Sequence, residues 1–236
     1  MWADMAVVSA FLVPSLLDPS FDAGVQAVSE ALIRSEPDVL LIFASGWQTD
    51  GDQQWLAVDP AQMLRIDDEL TEACIAGTRA IGIESALGGR LVDAGVSDAL
   101  RFNRADLPIV LAANNVGHDF NATERLGGLA GAVAERLKRR VAVIGIGGLS
   151  AKTDANDPLP AEDDRWNRTM LSLITQGDIY QIRCEMREAV AQARADSGFK
   201  HFAWVLGALG GVFTGATLHA YGVCGTGGGA VLQFQL

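Results

Sequence analysis

The sequence is poor in the residues that most often build local sites. Its 236 residues include only three cysteines, three histidines and two tyrosines. The cysteines, Cys74, Cys184 and Cys224, lie far apart without a C-x-x-C pair, and their odd number leaves one unpaired in any disulfide scheme. The sequence therefore predicts no disulfide framework, and a reducing cytoplasm is the compartment that fits it.

Basic residues are also scarce, with 18 lysines and arginines against 29 acidic residues, for a formal net charge of −11. A chain with this balance is repelled by phosphate backbones and by anionic membrane surfaces, so we expect no nucleic-acid partner. The apolar residues 5–17 form a strand-length run that contains Pro14 and follows no basic leader. We expect neither a signal peptide nor a membrane span there.

What the sequence does contain is an alternation of short apolar runs with amphipathic stretches, which is typical of strands covered by helices. Residues 38–44 and 107–113 are continuously apolar, as central strands buried on both faces are. We predict one α/β domain spanning residues 1–236, with a central twisted, mostly parallel or mixed sheet covered by helices on both faces. Further strands are predicted at 5–12, 79–83, 140–146 and 232–236; helices at 22–36, 61–77, 122–139, 166–174, 179–194 and 202–209; and long polar loops at 47–60 and 152–164.

The common catalytic motifs are missing or incomplete. The glycines of residues 145–148 follow a predicted strand, but neither the G-x-G-x-x-G spacing nor a Walker lysine accompanies them, so no dinucleotide site is predicted. No G-x-S-x-G nucleophile elbow occurs. No two of His118, His201 and His219 have the spacing that places two imidazoles on one metal ion. His118 with Asp119 is the best local candidate for acid–base or metal chemistry, although a histidine that bonds the backbone near a helix start explains the pair equally simply.

Seven segments of the chain, taken in order and spacing, resemble the class III extradiol-type dioxygenases, the protocatechuate 4,5-dioxygenase superfamily. The resemblance spans nearly the whole chain. It implies the fold of ring-cleaving non-haem iron enzymes, in which two histidines and one carboxylate bind Fe(II) on one face and leave positions open for substrate and O₂. The segments are residues 9–14, 38–47, 92–95, 107–115, 141–151, 164–167 and 202–229.

At the positions where that superfamily keeps its iron ligands, this chain has residues that cannot bind iron. The resemblance places Leu12 and Trp47 at the two histidine positions and Lys200 at the glutamate position. It places Ala151 at an acid–base histidine and Ala94 at the histidine of a D-H-G pattern. The resemblance therefore implies a chain with no catalytic residue, no metal and no cofactor of its own.

Within the superfamily, the segments 114–115, 121–125 and 164–168 are most similar to the α-type subunits of enzymes that cleave 2-aminophenol or related catecholic rings. In that group a homologous catalytic β subunit carries Fe(II), and an α₂β₂ heterotetramer is expected. The chain would then be a non-catalytic subunit that supports its iron-bearing partner. Interface contributors are expected around the late helix and final strand, and we name Phe202, Trp204, Phe213 and Tyr221.

Two other interpretations remain open. One is a stand-alone metalloenzyme whose site has moved to His118, Asp119 and His219. The other is a small-aromatic-binding protein that uses the vacated cleft, with Trp47 stacking on a ring and Lys200 pairing with a carboxylate.

Overall fold

The structure is a computed structural model that describes residues 6–15, 18–56, 64–88, 100–150, 159–191, 195–224 and 227–236. The strands are β1 (Val7–Val13), β2 (Val39–Thr49), β3 (Gln53–Leu56), β4 (Ser85–Gly88), β5 (Ile109–Asn115), β6 (Val141–Ile146), β7 (Gly215–Cys224) and β8 (Gly227–Gln235). The helices are α1 (Asp22–Ser35), α2 (Asp68–Thr78), α3 (Phe120–Arg136), α4 (Ala161–Gln176), α5 (Ile179–Ala191) and α6 (Lys200–Ala208).

All eight strands form one mixed sheet in the order β4-β3-β5-β2-β6-β1-β8-β7. The central strands β5, β2, β6 and β1 are parallel to one another. On one side β8 and β7 extend the sheet antiparallel, and on the other β3 pairs antiparallel with β5 and parallel with β4. The carboxyl ends of the four central strands therefore meet at one edge of the sheet, where α/β proteins commonly place their sites.

Alternate side chains of the central strands enter two separate cores. Leu41 and Phe43 pack with residues of α2 to α6 on one face, whereas Leu40 and Ile42 pack with residues of α1 on the other. Since strand side chains alternate between faces, a sheet covered on both sides requires continuously apolar strands, as residues 38–44 show. The predicted α/β sheet with helices on both faces is confirmed.

Several predicted elements are wrong in the structure. Strand β2 continues to Thr49, so the first residues of the predicted loop at 47–60 are strand, with a register shift between Ala44 and Gln48. Residues 79–81 form a single 3₁₀ turn instead of a strand, ended by Gly82 in the left-handed conformation. Strand β7 was not predicted, because glycines and a register shift between Leu218 and Ala220 interrupt its alternation.

The two predicted loops also contain regular structure. Strand β3 lies within 47–60, hidden in the sequence because Gln53 is a buried strand residue whose amide donates to the Ala113 carbonyl oxygen at 2.8 Å. Helix α4 begins at Ala161, so the acidic residues 162–164 form its first turn, where carboxylates complement the helix dipole. Residues 57–60 and 152–158 lie outside the described ranges.

Helices α3 and α6 approach each other closely because glycines line their contact. A Cβ added at Gly207 would overlap the Glu124 carbonyl oxygen, and one at Gly127 would overlap the Trp204 carbonyl oxygen. The close packing presses Trp204 onto the sheet, where its indole lies 6.0 Å from the Phe43 ring and 6.1 Å from Trp55, measured between centroids. Helix α6 is therefore held in a fixed position beneath α3.

We predict that Gly207→Ala lowers the free energy of unfolding by about 1–3 kcal/mol, the usual cost of overpacking, because the neighbouring backbone has to move. Urea denaturation followed by circular dichroism measures this. The matched control is Gly77→Ala in α2, where the new Cβ meets only the end of the Leu129 side chain. Equal stability of the two variants would contradict the prediction.

Candidate functional site

The amino-terminal end of α6 lies over the carboxyl ends of the central strands. The chain enters α6 through Ser197 and Phe199, which have positive φ angles of 48° and 58°. Glycines make the approach possible, since a Cβ at Gly147 would lie 2.6 Å from both His201 Nδ1 and Ser45 Oγ. The first two residues of α6, Lys200 and His201, are consequently buried against the strand ends.

Lys200 connects α6 to the end of β5. Its side chain is almost fully buried, and Nζ donates to the Asn115 carbonyl oxygen at 2.8 Å and to Asn114 Oδ1 at 3.2 Å. The Asn114 amide in turn donates to the Ser45 carbonyl oxygen of β2 at 3.1 Å. Burial lowers the pKa of Lys200, and the Asp119 carboxylate opposes that shift. A cation at a helix amino terminus also opposes the helix dipole, so these oxygen partners are needed to hold it.

His118 lies beside this lysine. Its backbone N–H donates to the same Asn115 carbonyl oxygen at 3.2 Å. Burial lowers the pKa of His118, the Lys200 charge lowers it further, and the Asp119 carboxylate acts in the opposite direction. Asp119 is the N-cap of α3, with Oδ1 accepting from the Ala122 N–H at 2.7 Å, so the helix begins two residues before the predicted start at 122.

His201, the next residue of α6, is also buried at the strand ends. Its Nδ1 lies 3.4 Å from Ser45 Oγ, and the Phe199 ring meets the imidazole edge-on at 4.9 Å between centroids. Burial lowers the pKa of His201 to about 4, although the nearby Asp196 carboxylate acts to raise it. Asp196 is held by the Gly148 N–H, which donates to Oδ2 at 2.6 Å. The imidazole is therefore neutral at pH 7.

A second polar group joins α4 to β7. The Tyr221 hydroxyl donates to Asp164 Oδ1 at 2.6 Å, and the Arg168 guanidinium lies 5.2 Å from the Tyr221 ring centroid while bonding the same carboxylate. Burial and then the Asp164 hydrogen bond raise the pKa of Tyr221 to about 12. Nearby, the buried Asn167 amide donates to Ser150 Oγ at 3.0 Å. These contacts attach α4 to the strand that ends the sheet.

The residues at the expected ligand positions do not share one face of the sheet. Leu12 packs in the core with α2 to α6, where a Cβ at Gly145 would lie 2.7 Å from its Cδ2. Trp47 packs in the opposite core with α1 and is only 4% exposed. Lys200 is the first residue of α6 and bonds the end of β5, and a shared cleft of Trp47 and Lys200 stays a prediction. Ala94 and Ala151 lie outside the described residues.

The described side chains at these positions do not fit Fe(II). Leu12 and Trp47 supply no lone pair to a metal, and the Lys200 ammonium carries a charge that repels a cation. Among the residues that the structure describes, no three histidine, cysteine, aspartate or glutamate side chains lie close enough together to hold a metal ion.

The alternative site is only partly assembled. His118 and Asp119 are neighbours at the end of β5, but His219 lies on β7 and bonds Gln233 Oε1 at 3.2 Å. Strands β5 and β7 are five places apart in the sheet, which corresponds to about 24 Å at the usual strand spacing. The structure therefore separates His219 from the other two residues.

Three of the expected interface residues are core residues instead. Phe202 and Trp204 are fully buried and Phe213 is 7% exposed, so our placement of them on an exposed patch is wrong. Phe202 and Trp204 are buried because α6 lies between the sheet and α3, and Phe213 is buried because its ring packs against Phe202 and Phe234. Tyr221 is half-buried against Asp164 and Arg168.

The sequence singled out Asn114, Asn115 and Ser45 only as members of longer segments and gave none of them a role. The signal that was available is their position, since all three are polar residues directly after a buried apolar run.

No helix in the described parts of the chain is both long and apolar enough to cross a membrane.

Comparison with known proteins gives relatives over most of the chain. No protein-family model matches. The 2-aminophenol 1,6-dioxygenase alpha subunit of a Pseudomonas species is 38% identical, over 98% of this chain and 100% of the relative. The 2-aminophenol 1,6-dioxygenase beta subunit of a Pseudomonas species is 26% identical, over 85% of this chain and 79% of the relative. The crystal structure of an uncharacterized Escherichia coli K12 protein shares the fold, with a TM-score of 0.65 and 14% identity over 96% of this chain and 99% of that one.

The alignment with the first relative extends over nearly the full length of both chains. The predicted resemblance to ring-cleaving dioxygenases, and within them to an α-type subunit, is confirmed by these relatives. The chain belongs to the family of 2-aminophenol 1,6-dioxygenase alpha subunits.

Proposed function

We propose that this chain is a non-catalytic α-type subunit of a cytoplasmic dioxygenase that cleaves the ring of 2-aminophenol or a related catecholic aromatic. It supports a homologous β subunit that carries Fe(II), in an α₂β₂ assembly. The observation that carries this proposal is the buried Lys200 ammonium, which stands where the superfamily resemblance places a carboxylate ligand and is held there by two oxygen atoms.

The Lys200 ammonium is held by hydrogen bonds at the carboxyl ends of the central strands. Lys200 Nζ draws its two acceptors from Asn114 and Asn115, and Asn114 is fixed by β2. Replacing a metal carboxylate by a lysine reverses the local charge, and a divalent cation would have to displace an ammonium that already satisfies these oxygens. The layer is thus built around an internal cation of its own.

Leu12 supports the same proposal at the end of β1. Its Cδ2 occupies space directly against Gly145, so an apolar side chain fills the place where the resemblance puts a histidine. The similarity of this chain to both subunits of the same named enzyme supports a partner of the same fold. A metal-free chain that keeps the whole scaffold is suited to binding and positioning that partner.

The proposal predicts that the chain purified alone, under anaerobic conditions, contains no stoichiometric iron and does not cleave 2-aminophenol. Co-expression with the homologous β subunit from the same source should give a complex of heterotetrameric mass with one iron per αβ pair. Metal analysis, light scattering and an oxygen-consumption assay measure these quantities. A lone chain that binds one Fe(II) and cleaves the ring would overturn the proposal.

Lys200→Met should lower the free energy of unfolding of the isolated chain by about 1–3 kcal/mol, because it removes the Lys200 donor from the buried Asn114 Oδ1 and leaves the Asn115 carbonyl oxygen with the His118 N–H alone. The exposed Lys138→Met is the matched control. With a structural lysine, kcat of the reconstituted complex stays within twofold at temperatures where the variant is folded. A tenfold loss of kcat with unchanged Tm would instead mean that Lys200 takes part in the reaction.

The buried imidazole predicts a pH dependence of stability. Between about pH 6.5 and 4 the unfolded chain binds a proton at His201 that the folded chain excludes, so stability falls as the pH falls through that window, by an amount on the order of 2–3 kcal/mol. Urea titrations at pH 7, 5.5 and 4.5 test this. His201→Gln should flatten the slope, whereas His219→Gln should keep it; equal slopes for all three proteins would count against a buried neutral imidazole.

A further inference from the structure

The last strand in the sheet order, β7, is a long edge strand. It is ten residues long and pairs with β8, while the opposite edge strand, β4, has four residues. Leu218 and Val223 of β7 are large apolar residues that are 40% and 52% exposed. A long edge strand with exposed apolar side chains is a template for pairing with another chain.

The chemistry of this edge is unusual for an exposed strand. After Lys200 the sequence contains no aspartate, glutamate, lysine or arginine through to its final residue, Leu236, and β7 contains no proline. Charged residues and prolines are the means by which proteins block an edge that faces water. In a chain with net charge −11, β7 thus carries no charged side chain of its own, while Asp164 and Arg168 contact it at Tyr221.

Backbone groups of β7 are available on the outer side. Among the described residues, the backbone hydrogen bonds of residues 216–223 run to β8 alone, so the groups that point away from β8 have no backbone partner there. The register shift next to His219 interrupts the first half of the strand, and regular pairing resumes from Ala220 to Cys224. This regular stretch of five residues is the segment best prepared to accept a further strand.

We propose that the β7 edge, centred on Ala220–Cys224, is the docking surface for the homologous β subunit, and this inference rests on the proposed function. A relative that is 26% identical over 85% of this chain supports a partner with the same scaffold, whose sheet would end in an equivalent strand. Two equivalent edges can pair antiparallel about a pseudo-two-fold axis, which would extend the sheet across both subunits. We therefore assign the β subunit as the occupant.

The test uses Val223→Lys on the β7 edge and Leu87→Lys on the β4 edge. Both side chains are 52% exposed and lie at opposite ends of the same sheet, so they form a matched pair. Affinity for the co-purified β subunit from the same source is measured by titration after circular dichroism has shown that each variant is folded. We expect Val223→Lys to raise Kd at least tenfold, because pairing would have to desolvate an ammonium, and Leu87→Lys to leave Kd within twofold.

Hydrogen–deuterium exchange of the wild-type chain provides a second measurement that needs no variant. Formation of the complex should slow exchange of the amides in Ala220–Cys224 and leave Ser85–Gly88 unchanged. Unchanged exchange in Ala220–Cys224, an unchanged Kd for Val223→Lys, or an equal loss for Leu87→Lys overturns the inference and leaves the proposed function standing. A dimer of the lone chain that Val223→Lys dissociates would overturn it in favour of a second copy. Absence of any complex with the β subunit would defeat the proposed function itself.

Discussion

The Lys200 ammonium is the interaction on which the carboxyl edge of the sheet depends. It joins the first turn of α6 to the end of β5, and the Asn114 amide extends this hydrogen-bond network to the Ser45 carbonyl oxygen of β2. A buried charge is tolerated only where oxygen atoms surround it, so the asparagines and the lysine require one another. Gly145 of β6, Gly147 directly after it and the left-handed residues before α6 serve the same arrangement, because they allow the helix end to approach the strands.

This dependence extends through the rest of the fold. Helix α6 can bring Lys200 and His201 to the strand ends only because Gly207 and Gly127 let it pack tightly against α3. The same packing places Trp204 between Phe43 and Trp55 at the centre of one core. Helix α6 therefore positions both the polar residues at the strand ends and the apolar core around Trp204. A substitution at the contact between α3 and α6 is expected to disturb both.

The sequence predicted the central strands and most helices because their apolar periodicity is strong over seven or more residues. It did not predict β3, whose four residues include a buried glutamine, or β7, whose alternation is broken by glycines and a register shift. The same limit applies to the site. Lys200 could be singled out by resemblance, but its partners Asn114 and Ser45 come from strands that are distant in sequence, and no local pattern shows which side chains tertiary packing will bring together.

Trp47 is a residue whose place in the fold was predicted from the sequence and is different in the structure. Its expected position in an open loop followed from the end of an apolar run at Ala44, yet the strand continues through the register shift and the indole is buried in the core opposite Leu12, close to Gly88 of β4. A ligand position read from sequence order therefore need not face the same side of the sheet as its counterpart at Leu12.

The buried Lys200 ammonium stabilises the strand ends without a metal ion. A metal site contributes binding energy to the fold that holds it, whereas here the Lys200 hydrogen bonds and the apolar packing of Leu12 supply contacts at the strand ends within a single chain. In the proposed function, closure of the strand ends by side chains of the chain itself means that this edge contributes stability instead of chemistry. At the far edge of the sheet, β7 has no charged side chain and exposes Leu218 and Val223. Under the same proposal, the chain acts through contact with its partner.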